Sequence, residues 1–356
     1  MLSKQALMGC AIGVYFFLSS SLFSEQSKGC CPPPAKNIRK AASKERCFSF
    51  LYQVSFASLP AKGKLLRVWV PVPQSNENQV ISHVRVQWPG TYRFTRDRKY
   101  GNKILYAQLK LPYSKPFSLR LSFVVRRQSI APKFANYPKS PAKLSDYLAP
   151  NSKVPVGHKK IRSHLHQAKV EKFSTPMQKA RAVYDYIIDQ LRYDKSGIGW
   201  GRGDALWACD NKRGNCTDYH SLFISMMRTL KIPARFEIGF PLPENKTKGE
   251  IRGYHCWGYF YIQKLGWVPV DISEADKHPK KKEFFFGGLD AHRVAFSVGR
   301  DIELVPPSQE RQNFFIYPVV ELDQRPYKEY KRRFYFSDLS LKVKEAKAPS
   351  SSSEGG

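Results

Sequence analysis

The sequence predicts an α+β fold in which a β-sandwich domain precedes a core of mixed helices and strands. Two observations carry that prediction. Between Cys47 and about Ile130 the chain reads as short β-forming stretches separated by turn residues at roughly ten-residue spacing. Beyond about residue 170, two helical segments are followed by three strand-like ones. A 42% hydrophobic and 13% aromatic composition excludes disorder and fibrous repeats, and 356 residues suffice for two domains of ordinary size.

Taken in order, the first 24 residues read as a secretory signal peptide. Lys4 precedes an apolar run from Ala6 to Leu18, and small residues follow at Ser19 to Ser21. That run is shorter than the ~20 residues a membrane span needs, although an uncleaved N-terminal anchor stays open because Leu22-Phe23-Ser24 only loosely resembles a cleavage site. Residues 25–46 are polar, basic and proline-containing, and read as a linker. Within 47–130, "FSFLYQVSF", "KLLRVWVPVP", "VISHVRVQW", "KILYAQLKL" and "FSLRLSFVVRR" each alternate or cluster β-formers. Residues 131–170, rich in Pro, Lys and Ser, read as a connecting segment.

The core is expected over 171–320. "TPMQKARAVYDYIIDQLRY" predicts a helix with Thr175 as N-cap and Pro176 in its first turn. After a glycine-rich loop (196–204) a second helix is expected from about Cys216 to Leu230, ended by Ile232-Pro233. "RFEIGF", "HCWGYFYI" and "GWVPVDI" then read as strands. A basic and aromatic extension (321–348) and a low-complexity tail expected to be disordered (349–356) complete the chain.

The chain carries 59 basic against 29 acidic residues, a formal net charge of +30. Such a surface suits an anionic partner or serves solubility alone. Export argues against nucleic acid, and there is no zinc-finger spacing or RNP-type motif. An anionic envelope polymer is the better match. Of seven cysteines, Cys10 falls within the signal, and the other six are too sparse for a disulfide scaffold. Cys30-Cys31 reads as a tether or an intermolecular bridge. No CxxC spacing occurs, so no metal or cofactor is expected.

The stretch "RGNCTDYH" concentrates the chemistry. It delivers Cys216 to the start of an apolar helix, where unpaired N–H groups and the macrodipole favour a thiolate. A buried cysteine is more often plain packing, but the turn-to-helix placement points to a nucleophile. His220, four residues on, shares a helix face with Cys216, yet would be pinned to the helix surface and poorly able to shuttle a proton. His255 is the better base. Strand alternation groups it with Trp257, Tyr259 and Tyr261, and turns Cys256 to the other face, which leaves Cys256 outside the His255 site. A hairpin centred on Gln263 would set Asp271 opposite His255 as its orienting acceptor, although Lys264-Leu265-Gly266 would centre the turn slightly later.

Together "GNC" opening a helix, "KIPARFEIGF", "HCWGYFYI" and "GWVPVD" resemble, in order and spacing, the core of the transglutaminase-like superfamily over about 176–275. The β-rich segment ahead is similar to the β-domain found before bacterial members. The resemblance implies a papain-like core that transfers acyl groups through a Cys–His–Asp triad, with Cys216 as nucleophile, His255 as base and Asp271 as orienter. Cys256 and His220 stand where the family more often has something small. Trp200, Trp207 and the Cys216 N–H are the oxyanion candidates.

The resulting expectation is an exported cysteine enzyme acting on a protein or peptide substrate, with amide or isopeptide hydrolysis ahead of transamidation. Two competitors stand beside it: a binding module that keeps the fold without catalysis, and a metal site built from Cys209, Cys216, His220 and His255. A disulfide between Cys209 and Cys216 is a further expectation for an oxidising compartment.

Overall fold

The computed structural model describes residues 31–33, 44–57, 59–60, 62–132, 137 and 143–340. The stretch read as a signal peptide (1–24), most of that read as a linker (25–46) and that read as a tail (349–356) lie outside the described residues.

The five N-terminal stretches read as strands are strands, and a further one lies among them. They are β1 (Glu45–Phe56), β2 (Leu65–Val72), β3 (Gln79–Gln87), β4 (Thr91–Arg96), β5 (Lys103–Lys110) and β6 (Phe117–Gln128). Strand β4 escapes the sequence pattern because it is almost wholly exposed, so no alternation marks it. Next come the helices α1 (Lys159–Gln167) and α2 (Pro176–Gln190), the short strand β7 (Arg192–Tyr193) and helix α3 (Ala205–Asn211). Then follow β8 (Arg213–Gly214), helix α4 (Cys216–Thr229), β9 (Ala234–Pro241), β10 (Lys248–Glu250), β11 (His255–Ile262) and β12 (Gly266–Val270). The rest comprises α5 (Ile272–Lys277), α6 (Lys282–Phe285), β13 (Arg293–Val298), β14 (Val319–Leu322), β15 (Arg325–Pro326) and β16 (Lys331–Asp338).

The sandwich has two five-stranded sheets, ordered β10-β16-β1-β6-β3 and β15-β14-β2-β5-β4. Phe48, Phe50, Tyr52, Val54 and Phe56 alternate along β1 and bury against Leu66, Val68, Val70, Leu105 and Ala107. The sandwich is not closed by the N-terminal segment alone. The stretch read as a C-terminal extension returns to it, β16 pairing with β1 and β14 with β2. Strand β10, from the loop after β9, pairs with β16. The Cys31–Cys47 disulfide pins the preceding segment to β1. Cys31 therefore pairs within the chain rather than forming a tether or intermolecular bridge, and Cys30 lies outside the described residues.

The core sheet runs β12-β11-β9-β13, all antiparallel. Alternation along β11 splits it cleanly. Cys256 and Phe260 join the cluster that contains α4, whereas Trp257, Tyr259 and Trp267 pack with Ile130 and Tyr147 on the opposite face. Helix α2 starts as expected, with a capping box between Thr175 and Gln178. The segment read as connecting contains α1, whose two buried apolar residues, Ile161 and Leu165, are a thin hydrophobic signal in a polar run.

Sandwich and core sheet share one aromatic junction. Phe240 of β9 lies 5.5 Å from Phe50, 5.2 Å from Phe296 and 4.4 Å from Phe334, ring centre to ring centre. A ring buried among partners from both parts should couple their stability. Phe240→Ala is expected to cost about 3–5 kcal/mol, with secondary structure and tryptophan fluorescence still lost together in urea. Two separated transitions in the wild type would sink the idea of a shared core.

Candidate active site

Helix α4 begins at Cys216 because Asn215 caps it. The Asn215 carboxamide accepts from Thr217 N (2.9 Å), and the Asp218 carboxylate accepts from Asn215 N (3.0 Å), a reciprocal capping box. Neither side-chain bond of this box uses the Cys216 N–H. Asp218 does more than cap. Its buried carboxylate also accepts from Gly201 N (2.7 Å) and Gly203 N (3.0 Å), which ties the glycine-rich loop to the helix start. Gly214 has φ +150°, and a Cβ there would come 2.5 Å from the Asp218 carboxylate, so the turn into the helix admits glycine alone.

Cys216, His255 and Asp271 come together. His255 Nε2 lies 2.7 Å from Asp271 Oδ2, and His255 and Cys216 are close enough for each to shift the other's ionisation. Since Nε2 is taken by the aspartate, Nδ1 is the ring nitrogen left for another partner. All three are almost fully buried. The hairpin register is Ile262↔Gly266 and Gly258↔Val270, centred on Lys264 as the turn residues suggested and not on Gln263. Asp271 is thus not directly opposite His255. It lies just past the end of β12 as the N-cap of α5, accepting from Glu274 N (3.2 Å), and reaches the imidazole from there.

Charges follow from this packing. Burial opposes ionisation of Cys216, but hydrogen bonds from Cys256 and His255 and the positive charge of His255 outweigh it and hold the thiol well below its ordinary range. Burial likewise opposes charge on His255, yet Asp271 and the Cys216 sulfur raise it to about 10. Asp271 is driven below the usual carboxylate range, with burial overcome by His255 and Arg293. Each of these shifts favours the charged form, a thiolate beside an imidazolium backed by a carboxylate.

Arg293 is the residue that sequence reasoning missed. From β13 it donates to Asp271 Oδ2 (2.7 Å) through Nη1 and to Asp290 Oδ2 (2.8 Å) through Nη2. It sits 22 residues beyond Asp271, and only the β13–β9 pairing brings it back. Asp218 was equally invisible as a loop anchor.

The neighbouring histidine and cysteines divide as follows. His220 is structural, as expected: its Nδ1 meets the Cys216 carbonyl at 2.7 Å, and its Nε2 accepts from Ile272 N at 3.1 Å. Cys209 sits in α3, its thiol pushed up to about 12 by burial and the adjacent Asp210. Cys256 corrects the sequence reading. It does occupy the face opposite His255, but that face is covered by the helix that carries Cys216, and its sulfur lies 3.6 Å from Nδ1 of His220 on that helix. Among the described residues, no group of three or more His, Cys, Asp or Glu side chains is arranged to hold a metal ion. Of the oxyanion candidates, the Trp200 indole is turned onto Gly197 O (3.1 Å), and Trp207 packs against Gly199.

Residues 163–272 match the family model described as the Transglutaminase-like superfamily, so the chain carries a transglutaminase-like core. An uncharacterized protein of Haemophilus influenzae is 26% identical over 322 residues, covering 78% of this chain and 86% of that protein. The crystal structure of a candidate cysteine protease from Cytophaga hutchinsonii superposes with a TM-score of 0.52 at 16% identity, covering 83% of this chain and all of that one, a likeness of fold. The periplasmic domain of TgpA from Pseudomonas aeruginosa, bound to ethylmercury, is looser, with a TM-score of 0.33 at 14% identity over 68% of this chain and 93% of that chain.

The shifted groups predict how stability depends on pH. The raised His255 contributes stability that is complete below its ordinary value of about 6.5 and is lost as pH rises through about 10. The lowered Asp271 contributes above the ordinary carboxylate range and loses its contribution as pH falls below it. Asp271→Asn, which leaves two buried cations without their acceptor, should cost about 3–5 kcal/mol at neutral pH. That deficit should shrink, without vanishing, as pH passes 10, because Arg293 stays charged. Urea unfolding of both proteins at the two pH values measures it, and an equal deficit at both would refute the His255 assignment.

Proposed function

We propose that this protein is an exported cysteine acyl-transfer enzyme that cleaves amide or isopeptide bonds in a protein or peptide. The observation that carries the reading is the 2.7 Å His255–Asp271 bond, which leaves the opposite ring nitrogen free for the thiol at the start of α4. A nucleophile, a base and an orienter in that order are the arrangement acyl transfer needs.

In this reading the Cys216 thiolate attacks the amide carbonyl carbon, forming a C–S bond and placing charge on the oxygen. The Cys216 N–H, left free by the Asn215–Asp218 capping box, is positioned at the helix N-terminus to stabilise that oxygen. The His255 imidazolium then gives its proton to the departing nitrogen, the C–N bond breaks, and a thioester remains. Asp271 holds the ring through both steps without itself taking the proton. Neutral His255 next accepts a proton from water, whose oxygen attacks the thioester and releases the acid and Cys216. An amine in place of water would give transamidation. Export is supported by the apolar N-terminal run and by the Cys31–Cys47 disulfide, which suits an oxidising compartment. The exposed Lys331, Arg332 and Arg333 of β16 belong to a basic surface that fits an anionic envelope polymer.

The test is alkylation of Cys216 by iodoacetamide across pH, read by peptide mapping, alongside cleavage of a mixed peptide library. The Cys216 midpoint should lie well below the ~8.5 of a free thiol and rise in His255→Ala, while Cys216→Ala should abolish cleavage. A Cys216 midpoint near that of a free thiol, unmoved in His255→Ala, would end this reading.

A further inference from the structure

Acyl transfer calls for a side-chain donor beside the Cys216 N–H for the oxygen that becomes charged, and the Trp200 indole is already spent on Gly197 O. The hydrogen bonds around the start of α4 single out another group. Asn215 Oδ1 accepts from Thr217 N (2.9 Å) and from Thr217 Oγ1 (2.6 Å), which fixes the orientation of the carboxamide and makes Nδ2 its donor end. Nδ2 donates to the Tyr254 hydroxyl oxygen at 3.1 Å. Tyr254, the residue before His255, is thereby joined to the residue before Cys216, at the end of α4 that carries the Cys216 N–H. Because the phenol accepts in this bond, its own proton remains to be given. Thr217 Oγ1, the hydroxyl beside it, has committed its proton to Asn215 and can meet Tyr254 only as an acceptor.

Other donors of this turn are taken. Gly201 N, Gly203 N and Asn215 N go to the Asp218 carboxylate, and Asp218 N goes to Asn215 O at 3.1 Å. The Tyr254 ring is held in place, with its centre 5.7 Å from that of Phe314 and 5.8 Å from that of Tyr317. Gly201, at φ +77°, keeps room beside the hydroxyl: a Cβ there would stand 3.3 Å from Asn215 Nδ2 and 3.9 Å from the Tyr254 oxygen. Burial, and then the charge of Cys216, push the phenol above its ordinary range, so its proton stays on.

We propose that Tyr254 is a further catalytic residue of this site, its O–H joining the Cys216 N–H as a second hydrogen-bond donor to the substrate oxygen. The inference rests on the reading of Cys216 as the nucleophile. As the sulfur forms the C–S bond, the carbonyl π pair moves onto oxygen, and Tyr254 donates a hydrogen bond to that oxygen while keeping its proton. When the C–N bond breaks, the pair returns to C=O and the hydrogen bond weakens. The donor thus acts most strongly where the charge is greatest, which favours the transition state over bound substrate.

The test sets two reactions of one sulfur side by side, on the full chain. p-Nitrophenyl acetate acylates Cys216 by way of a charged oxygen, whereas iodoacetamide alkylates it by losing iodide and charges no oxygen. Tyr254→Phe keeps the ring and removes the O–H. Its burst of p-nitrophenolate should be about 10²-fold slower than that of the wild type, with the rate and pH midpoint of alkylation unchanged. Tyr193→Phe, which removes a hydroxyl from the strand paired with Gly214, should leave both reactions as they are. A Tyr254 that only braces the Asn215 cap would slow both reactions together, and that result overturns the inference. So does an unslowed burst in Tyr254→Phe, or a slowed one in Tyr193→Phe instead. All three leave the nucleophile reading standing, whereas a wild-type burst no faster than that of Cys216→Ala rejects that reading and the role of Tyr254 with it.

Discussion

The site hangs on one buried carboxylate. Asp271 has no exposed surface, yet it accepts from His255 and Arg293 and caps α5 through Glu274 N. A carboxylate so enclosed is tolerable only because two cationic partners and backbone N–H groups satisfy it. That requirement fixes three chain segments relative to one another: the first residue of β11, the end of β12 and the first residue of β13. The imidazole is oriented because the aspartate cannot move, and the aspartate cannot move because Arg293 bridges it to Asp290. Helix α4 is locked to the same point from the other side through His220, which joins the Cys216 carbonyl to the N–H that follows Asp271.

How much of this was legible in the sequence depended on how local the cause was. The α2 capping box, the start of α4 and the alternation along β1 and β11 are set by residues within a few positions of each other, and a sequence exposes them. Cys216, His255 and Asp271 could be brought together on paper because a turn-to-helix step, a strand face and a hairpin are each local. The hairpin register was already uncertain by a residue or two, and the turn residues rather than simple symmetry proved the better guide. Arg293 and Asp218 were not legible. One acts across a sheet pairing and the other across a loop closure, and neither leaves a periodic trace. The completion of the sandwich by β14 and β16 escaped for the same reason, since edge pairing over more than 200 positions depends on the whole topology.

Cys256 shows a different kind of failure. Alternation correctly put it on the face opposite His255, but that face is the one the helix carrying Cys216 and His220 covers. A strand has two faces, but a helix packed on one of them can present its first residue at the strand's end and touch both neighbours. Cys256 follows His255 on β11, and its sulfur lies 3.6 Å from the His220 nitrogen that meets the Cys216 carbonyl at the head of α4. Face assignment is a statement about the sheet, whereas a site is assembled from whatever converges on one atom.

The four fates of the described cysteines follow from the same geometry. Cys31 and Cys47 pair at the start of β1, the central strand of its sheet, and there the bond ties the preceding residues to the sandwich. Cys209 sits in α3, where burial and then the adjacent Asp210 push its thiol up and disfavour the thiolate. Cys216 and Cys256 are equally buried, and burial alone would keep both neutral. The difference between them comes from their neighbours: a helix N-terminus and the charge of His255 act on Cys216, whereas the Cys256 sulfur lies 3.6 Å from His220 Nδ1. Reactivity is thereby concentrated on the one sulfur that stands at the helix start, next to the base.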